Sequence, residues 1–436
     1  MSRRQNRKLL VIQAAGLGYD FLAAHGSTFA QKLNVKPMQS GFPAVTCSVQ
    51  AGFRTASLPS EHGMISNGIF SRHFRRPFFW EQSAALVAGQ RIWATARDQG
   101  ARVAVLFWQQ SLGENADIIL SPAPIHKHHG GMIQDCYSKP AGLYQRLCDR
   151  IGRPFALRHY WGPTASTRSS QWIAEATAIL MAETDLAPDL CFTYLPALDY
   201  DLQRFGPDHR RSVQALASLC DQLSLLMTAA ERNGYELLLF GDYAIEKCAG
   251  PAILPNRILA DNGMLAIRDV KDRKYADLHA ARAFAMVDHQ IAHIYIPDRQ
   301  DIATVHAMLA KTPGIQEVID VSGHQQLGIN HPNSGDLLIT ACAGTWFAYP
   351  WWHSRQEAPD YASHVDIHNK PGYDPCELFW GWPPGTVSCD TRRISGSHGL
   401  TGAGKATAWA STCIEGEVGS LVDLARKTAS WIGGTV

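Results

Sequence analysis

Four short apolar runs, KLLVIQAAG, ARVAVLFW, DLCFTYLPAL and YELLLFGD, recur between residues 8 and 242, each ending in small or polar residues. Continuous apolar runs of this length read as strands buried on both faces. Between them, RIWATARDQG, SSQWIAEATAILMAET and HRRSVQALASLCDQLSLLMTAAERNG space their apolar residues three and four apart, as amphipathic helices do. The alternation predicts an α/β fold with a mainly parallel sheet covered by helices. In such sheets ligands bind at the carboxyl ends of the strands. That rule draws attention to Asp199-Tyr200-Asp201 after the third run and Asp242-Tyr243 after the fourth. One such Asp is most simply a helix cap or turn former; two in one sheet make metal binding competitive.

The texture changes after residue 275. AHIYIPD, RQDIATVHAMLAKTPG and IQEVIDV read as strand, helix and strand, a small inserted subdomain. The expected organisation is a core over 1–275, a small α+β insertion over 276–334, and the rest of the core over 335–436. A stretch of little periodicity over 346–391, rich in Trp, His and Pro, reads as a lid-like loop. The basic start MSRRQNRK precedes LLVIQAAGLG, but Gln13 interrupts that run and no small-x-small cleavage pattern follows, so a first buried strand is expected. No run reaches membrane-spanning length, and a net charge of +1 argues against a nucleic-acid polymer or a membrane surface as partner. A cytoplasmic protein is expected, and a homo-oligomer is compatible with its composition. Ten scattered cysteines without a Cys-x-x-Cys pair read as free, mostly buried thiols.

The stretch GFPAVTCSVQAGFRTASLPSEHGMISNG, residues 41–68, crowds small polar groups together without strand or helix period. From Phe42 onward it resembles the nucleophile region of the type I phosphodiesterase/nucleotide pyrophosphatase family of the alkaline phosphatase superfamily. The resemblance continues in order through IWATARDQGARVAVLFWQQS, LDYDLQRFGPDH, FGDYAI and SGSHGL, over nearly the whole chain. It implies an alkaline-phosphatase-like three-layer sandwich, with Thr46 as nucleophile and Asn67 as the amide that holds the oxyanion. It also implies Asp199, Asp242 and His398 as metal ligands. A cation beside a threonine hydroxyl at a helix N-terminus would make the hydroxyl nucleophilic and offset phosphate charge.

Three family ligand positions are substituted, by Ala15, Gln203 and Tyr243. Zinc prefers about four ligands, imidazoles common among them, so two ordinary zinc sites are not expected from what remains. Replacement ligands are sought in APDYASHVDIHNKPGYDPCELF, where Asp366 and His368 would share one side if the segment is extended. VDHQIAH places His289 and His293 four apart, but it runs into IYI and reads as a strand entry with packed, hydrogen-bonded histidines. Within SRHFRRPFFW, Arg76 and Trp80 are candidates for phosphate contact and ring stacking.

The function implied is hydrolysis of phosphoric esters or anhydrides on a small phosphorylated metabolite or nucleotide. The cofactor implied is a divalent metal, zinc first and manganese as alternative. Phosphonate or phosphoryl-transfer chemistry on the same fold is a second reading, and a binding protein that lost the two-metal chemistry a third.

Overall fold

The computed structural model describes residues 7–128 and 131–433. The first apolar run forms the strand Leu9–Ala14, buried at every position. It pairs in parallel with Leu190–Leu195 on one side and Glu236–Gly241 on the other. The parallel set continues through Val103–Leu106 to Ile118–Pro122. Antiparallel strands close the edges: Thr407–Ser411 and Lys36–Met38 beyond Glu236–Gly241, and Cys136–Lys139 beyond Ile118–Pro122. Burial on both faces is why these strands read as unbroken apolar runs.

Helices Arg168–Ala182 and Arg210–Asn233 pack against each other, and Leu421–Trp431 packs on Thr46–Thr55. By length and hydropathy Arg210–Asn233 does reach membrane-spanning dimensions, contrary to the expectation of no such run. In the fold it is amphipathic, with Leu216, Leu219, Leu223 and Leu226 on its buried stripe. The ten cysteines are free thiols, six of them buried.

A second, antiparallel sheet has the order Phe284–Asp288, Ile291–Tyr295, Leu337–Ala341, Ile315–Ile319. Its first two strands are joined by His289 and Gln290, and His289 sits in the left-handed region at φ 60°. The tip of this hairpin is tied down by backbone bonds, Gln290 N–H to His398 O at 2.9 Å and Phe347 N–H to His289 O at 2.7 Å. The segment 346–391 is built from short 3-10 turns and loops over the carboxyl edge of the central sheet. It is anchored by Lys370, whose ammonium lies 2.7 Å from both Asp374 and Glu377 in a buried cluster. Burial alone would lower the Lys370 pKa; the two carboxylates reverse this and raise it.

Candidate active site

Three neighbouring parallel strands end at one place. Leu9–Ala14 runs out into Ala15-Gly16, Glu236–Gly241 into Asp242-Tyr243, and Leu190–Leu195 through Pro196 into helix Ala197–Phe205, whose first turn carries Asp199. The backbones are so close that a Cβ on Gly241 would lie 2.2 Å from Leu17 O, which is why glycine precedes Asp242. Beside these ends, extended Val45 leads into helix Thr46–Thr55, so Thr46 is its first helical residue. A helix start leaves its first amides without intrahelical partners, and the dipole there favours negative charge.

Thr46 lines a cavity of about 210 Å³, with Tyr194 OH 3.4 Å from its Oγ1. Asn67 is locked next to it: its Oδ1 accepts from Cys47 N–H at 3.0 Å, and its Nδ2 donates to Asp288 Oδ1 at 3.1 Å. Asp288 also accepts from Asn67 N–H, Ser66 Oγ and His289 Nδ1, each at 2.7 Å. Burial would raise the Asp288 pKa, but His289 and these donors outweigh it and hold the carboxyl below its usual value.

Asp199 lines the cavity too. Its Oδ1 accepts from Tyr243 OH at 3.0 Å and its Oδ2 from Gln203 Nε2 at 2.6 Å. Burial pushes its pKa up to about 6 against the opposing effect of His289 and these donors. Asp242 lies deeper. Gln13 Nε2 reaches its Oδ2 at 3.1 Å, and the N–H groups of Gly16 and Tyr243 reach its Oδ1 at 2.9 Å. Desolvation raises its pKa well above the carboxylate range. His398 donates Nδ1–H to Ala44 O at 2.7 Å, and its ring lies flat on Tyr243, centroids 3.4 Å apart. Burial and neighbouring His289 keep it neutral.

The residues present do not fit the two-cation centre that the family pattern implies. Ala15 offers no ligand atom, and Gln203 and Tyr243 act as donors to Asp199, where imidazoles would have left its oxygens to an ion. Among the described residues, no three His, Cys, Asp or Glu side chains stand at coordination spacing.

The sequence candidates in the lid also require correction. Asp366 and His368 both line the cavity, but 367–369 is a turn and not an extended segment. Asp366 is spent on Asn369, whose Nδ2 lies 2.8 Å and 3.0 Å from its two oxygens, and His368 Nδ1 meets Phe79 O at 3.1 Å. Neither joins Asp199, Asp242 and His398 in a ligand set.

Trp80 lines the cavity, whereas Arg76 is exposed, lies over the Phe78 ring at 5.2 Å and is absent from the lining. In fact no lysine or arginine lines the cavity among the described residues; its walls include Tyr160, Trp161, Tyr200 and Tyr373.

Sequence reasoning missed Asp288 and His289. His293 is packed and hydrogen-bonded as expected, to Ile65 O and Gly335 N–H. His289 is packed and hydrogen-bonded too, to Asp288, but the tight hairpin delivers its ring to the centre, 3.7 Å from His398 and 3.8 Å from Tyr373 between centroids. The available signal was a histidine at a turn position between two strands, where left-handed backbone is uncommon for such a side chain.

Over residues 10–374 the sequence matches the family model for type I phosphodiesterase / nucleotide pyrophosphatase. The chain belongs to this family. Its members are phosphoric ester hydrolases, and the chain is accordingly an enzyme of that class. Among curated proteins, no sequence matches it. Similar solved structures include murine ectonucleotide pyrophosphatase/phosphodiesterase 5, at 13% identity and a TM-score of 0.62, with 98% of this chain and 96% of that one covered. The murine protein is also solved as an inactive threonine-to-alanine variant in complex with AMP. Phosphonoacetate hydrolase from Sinorhizobium meliloti 1021, with phosphonoformate bound, aligns at 13% identity and a TM-score of 0.66, over 98% and 96% of the two chains. These likenesses show the alkaline-phosphatase-like fold.

Proposed function

We propose that this family member hydrolyses a phosphoric ester or anhydride of a small metabolite, with the Thr46 hydroxyl as nucleophile. The observation that carries the reading is the placement of Thr46: first residue of a buried helix, open to the cavity, with the Asn67 amide locked beside it. Thr46 Oγ would attack phosphorus in line, the P–O bond to the leaving group would break, and water would then cleave the phosphoryl-threonine. The charge developing on the phosphoryl oxygens faces the helix N-terminus and an amide whose orientation is set before substrate arrives. The inactive threonine-to-alanine variant of the murine neighbour supports the assignment by analogy, and its AMP supports a small phosphorylated ligand.

The test is a turnover screen of the purified chain on an aryl phosphodiester, a nucleotide anhydride, a phosphomonoester and a phosphonate, the last because of the phosphonoacetate hydrolase likeness. Hydrolysis of none of the four defeats the proposal. Asn67→Ala should lower kcat by about 10²–10³-fold, the usual loss on removing one oxyanion donor; an unchanged kcat would remove Asn67 from the mechanism. Trp80→Ala should raise KM by roughly tenfold with kcat nearly constant, since a stacking wall binds ground and transition states alike. Arg76→Ala should change neither constant.

A further inference from the structure

The cavity extends well past the nucleophile. Thr46 stands beside Tyr194, near the end of Leu190–Leu195, yet the lining continues through Gln109, which follows Val103–Leu106, to Ser121 and Pro122 at the end of Ile118–Pro122. These three strands are neighbours in the central sheet, and two strand spacings carry the cavity about 10 Å beyond Thr46. That is room for a substituent on phosphorus, not only for the phosphoryl group.

This arm is apolar and uncharged. Pro122, Pro124, Met132 and Leu157 wall it, and the neutral side chains of Gln82, Gln109 and Tyr160 are hydrogen-bonded to one another. No lysine or arginine among the described residues lines the cavity, and its two carboxylates, Asp199 and Asp366, have the sign of phosphate. A second anionic group in the arm would lose its water without gaining a cation, which is costly. An apolar group gains there with every methylene removed from water. The mouth has the same character: Met132 and Val365 line the cavity while 43% and 47% exposed. Exposed apolar residues standing singly need no explanation, but these two carry a buried apolar wall out into solvent.

We propose that the substrate is a phosphodiester with a single negative charge, whose uncharged apolar substituent lies in this arm and emerges over Met132 and Val365. The proposal rests on the hydrolase reading and narrows it. Esters with a second anionic group on that substituent are disfavoured, nucleotide anhydrides among them, because the arm offers their additional charge no cation.

Titration calorimetry on the full chain tests it with dimethyl phosphate, dibutyl phosphate and bis(3-carboxypropyl) phosphate, the last matching dibutyl phosphate in carbon number but anionic at its ends. Dibutyl phosphate should bind about 30-fold tighter than dimethyl phosphate, roughly threefold for each of three methylenes in the arm. The dicarboxylate should bind about 100-fold or more weaker than dibutyl phosphate. Met132→Lys should weaken dibutyl phosphate and recover about tenfold in affinity for the dicarboxylate, since it supplies the missing cation. Val270→Ala, which trims an exposed side chain outside the cavity, should change neither. A melting curve checks the fold of both variants, and the wild-type comparison of the three ligands decides even where Met132→Lys unfolds. No binding of dibutyl phosphate, equal affinities for the dimethyl and dibutyl esters, or tighter binding of the dicarboxylate would each overturn the proposal. Calorimetry needs no turnover, so the two readings fail separately. A steep chain-length dependence in a protein that hydrolyses none of the four screened substrates refutes the hydrolase reading and leaves the apolar arm standing; hydrolysis with a flat series refutes only this one.

Discussion

Thr46→Ala is expected to abolish turnover, lowering kcat on the order of 10⁴-fold or more, as removal of a covalent nucleophile does. The fold should survive it. The Thr46 hydroxyl has two tyrosine neighbours, Tyr194 OH at a long 3.4 Å and the Tyr243 hydroxyl, and alanine is a good helix former at a first helical position. The expected stability change is therefore below about 1 kcal/mol. Steady-state kinetics on the best substrate from the screen, with a melting curve on the same preparation, separate the two effects. Thr46→Ser, which keeps the hydroxyl, should retain measurable activity. Turnover of the alanine variant within tenfold of wild type would show that Thr46 is not the nucleophile.

Asp288→Ala should damage both stability and rate. The residue is fully buried and accepts from four donors: Ser66 Oγ, Asn67 N–H, Asn67 Nδ2 and His289 Nδ1. Removing an ionised buried partner strands all four, with an expected loss of about 3–5 kcal/mol by chemical denaturation. Freed from Asp288, the Asn67 amide loses its orientation, and kcat should fall by about 10²-fold even where the variant is folded. The pH dependence has a definite sign. The folded pKa of Asp288 is depressed, so its contribution to stability is fully present above the unfolded value of about 3.9. It is lost as pH falls through the lower, folded value. The stability gap between wild type and variant should therefore be constant near neutrality and close in acid. A gap that stayed constant down to pH 2 would mean that folding does not shift the Asp288 pKa, and a gap that widened in acid would mean that Asp288 is not ionised in the native state. Asp288→Asn, which keeps the shape, should show an intermediate loss.

The parts of the site legible in the sequence are those that share one local segment. Thr46 and Asn67 are 21 positions apart in a single strand-free stretch that carries the family resemblance, and the turn around Pro59 and Gly63 brings them together, although Asp288 from the second sheet fixes the Asn67 amide. Asp199 and Asp242 were legible because each lies just past a strand whose apolar pattern marks its end, Asp242 next to it and Asp199 four residues on. The replacement ligands were not. Asp366 and His368 were attractive for their spacing, yet that spacing assumed extended backbone, and the chain turns there so that Asn369 takes the carboxylate. His289 is packed and hydrogen-bonded as its strand neighbours suggest, but the turn that carries it sets its ring against His398 and Tyr373, which the strand pattern did not show.

The order of strands and helices and the parallel core follow from hydrophobic periodicity, which acts over a few residues and is written where it acts; the threonine at a helix start was implied by the family resemblance of its segment. The occupants of the lone pairs of Asp199 and Asp242 were decided only in three dimensions. Gln13 meets Asp242 across 229 positions, Tyr243 meets Asp199 across 44, and His289 meets His398 across a hairpin tip pinned by backbone bonds. Each pairing depends on where packed elements come to rest. Hydrogen bonds and coordination act over about 3 Å, a distance that position along the chain does not encode.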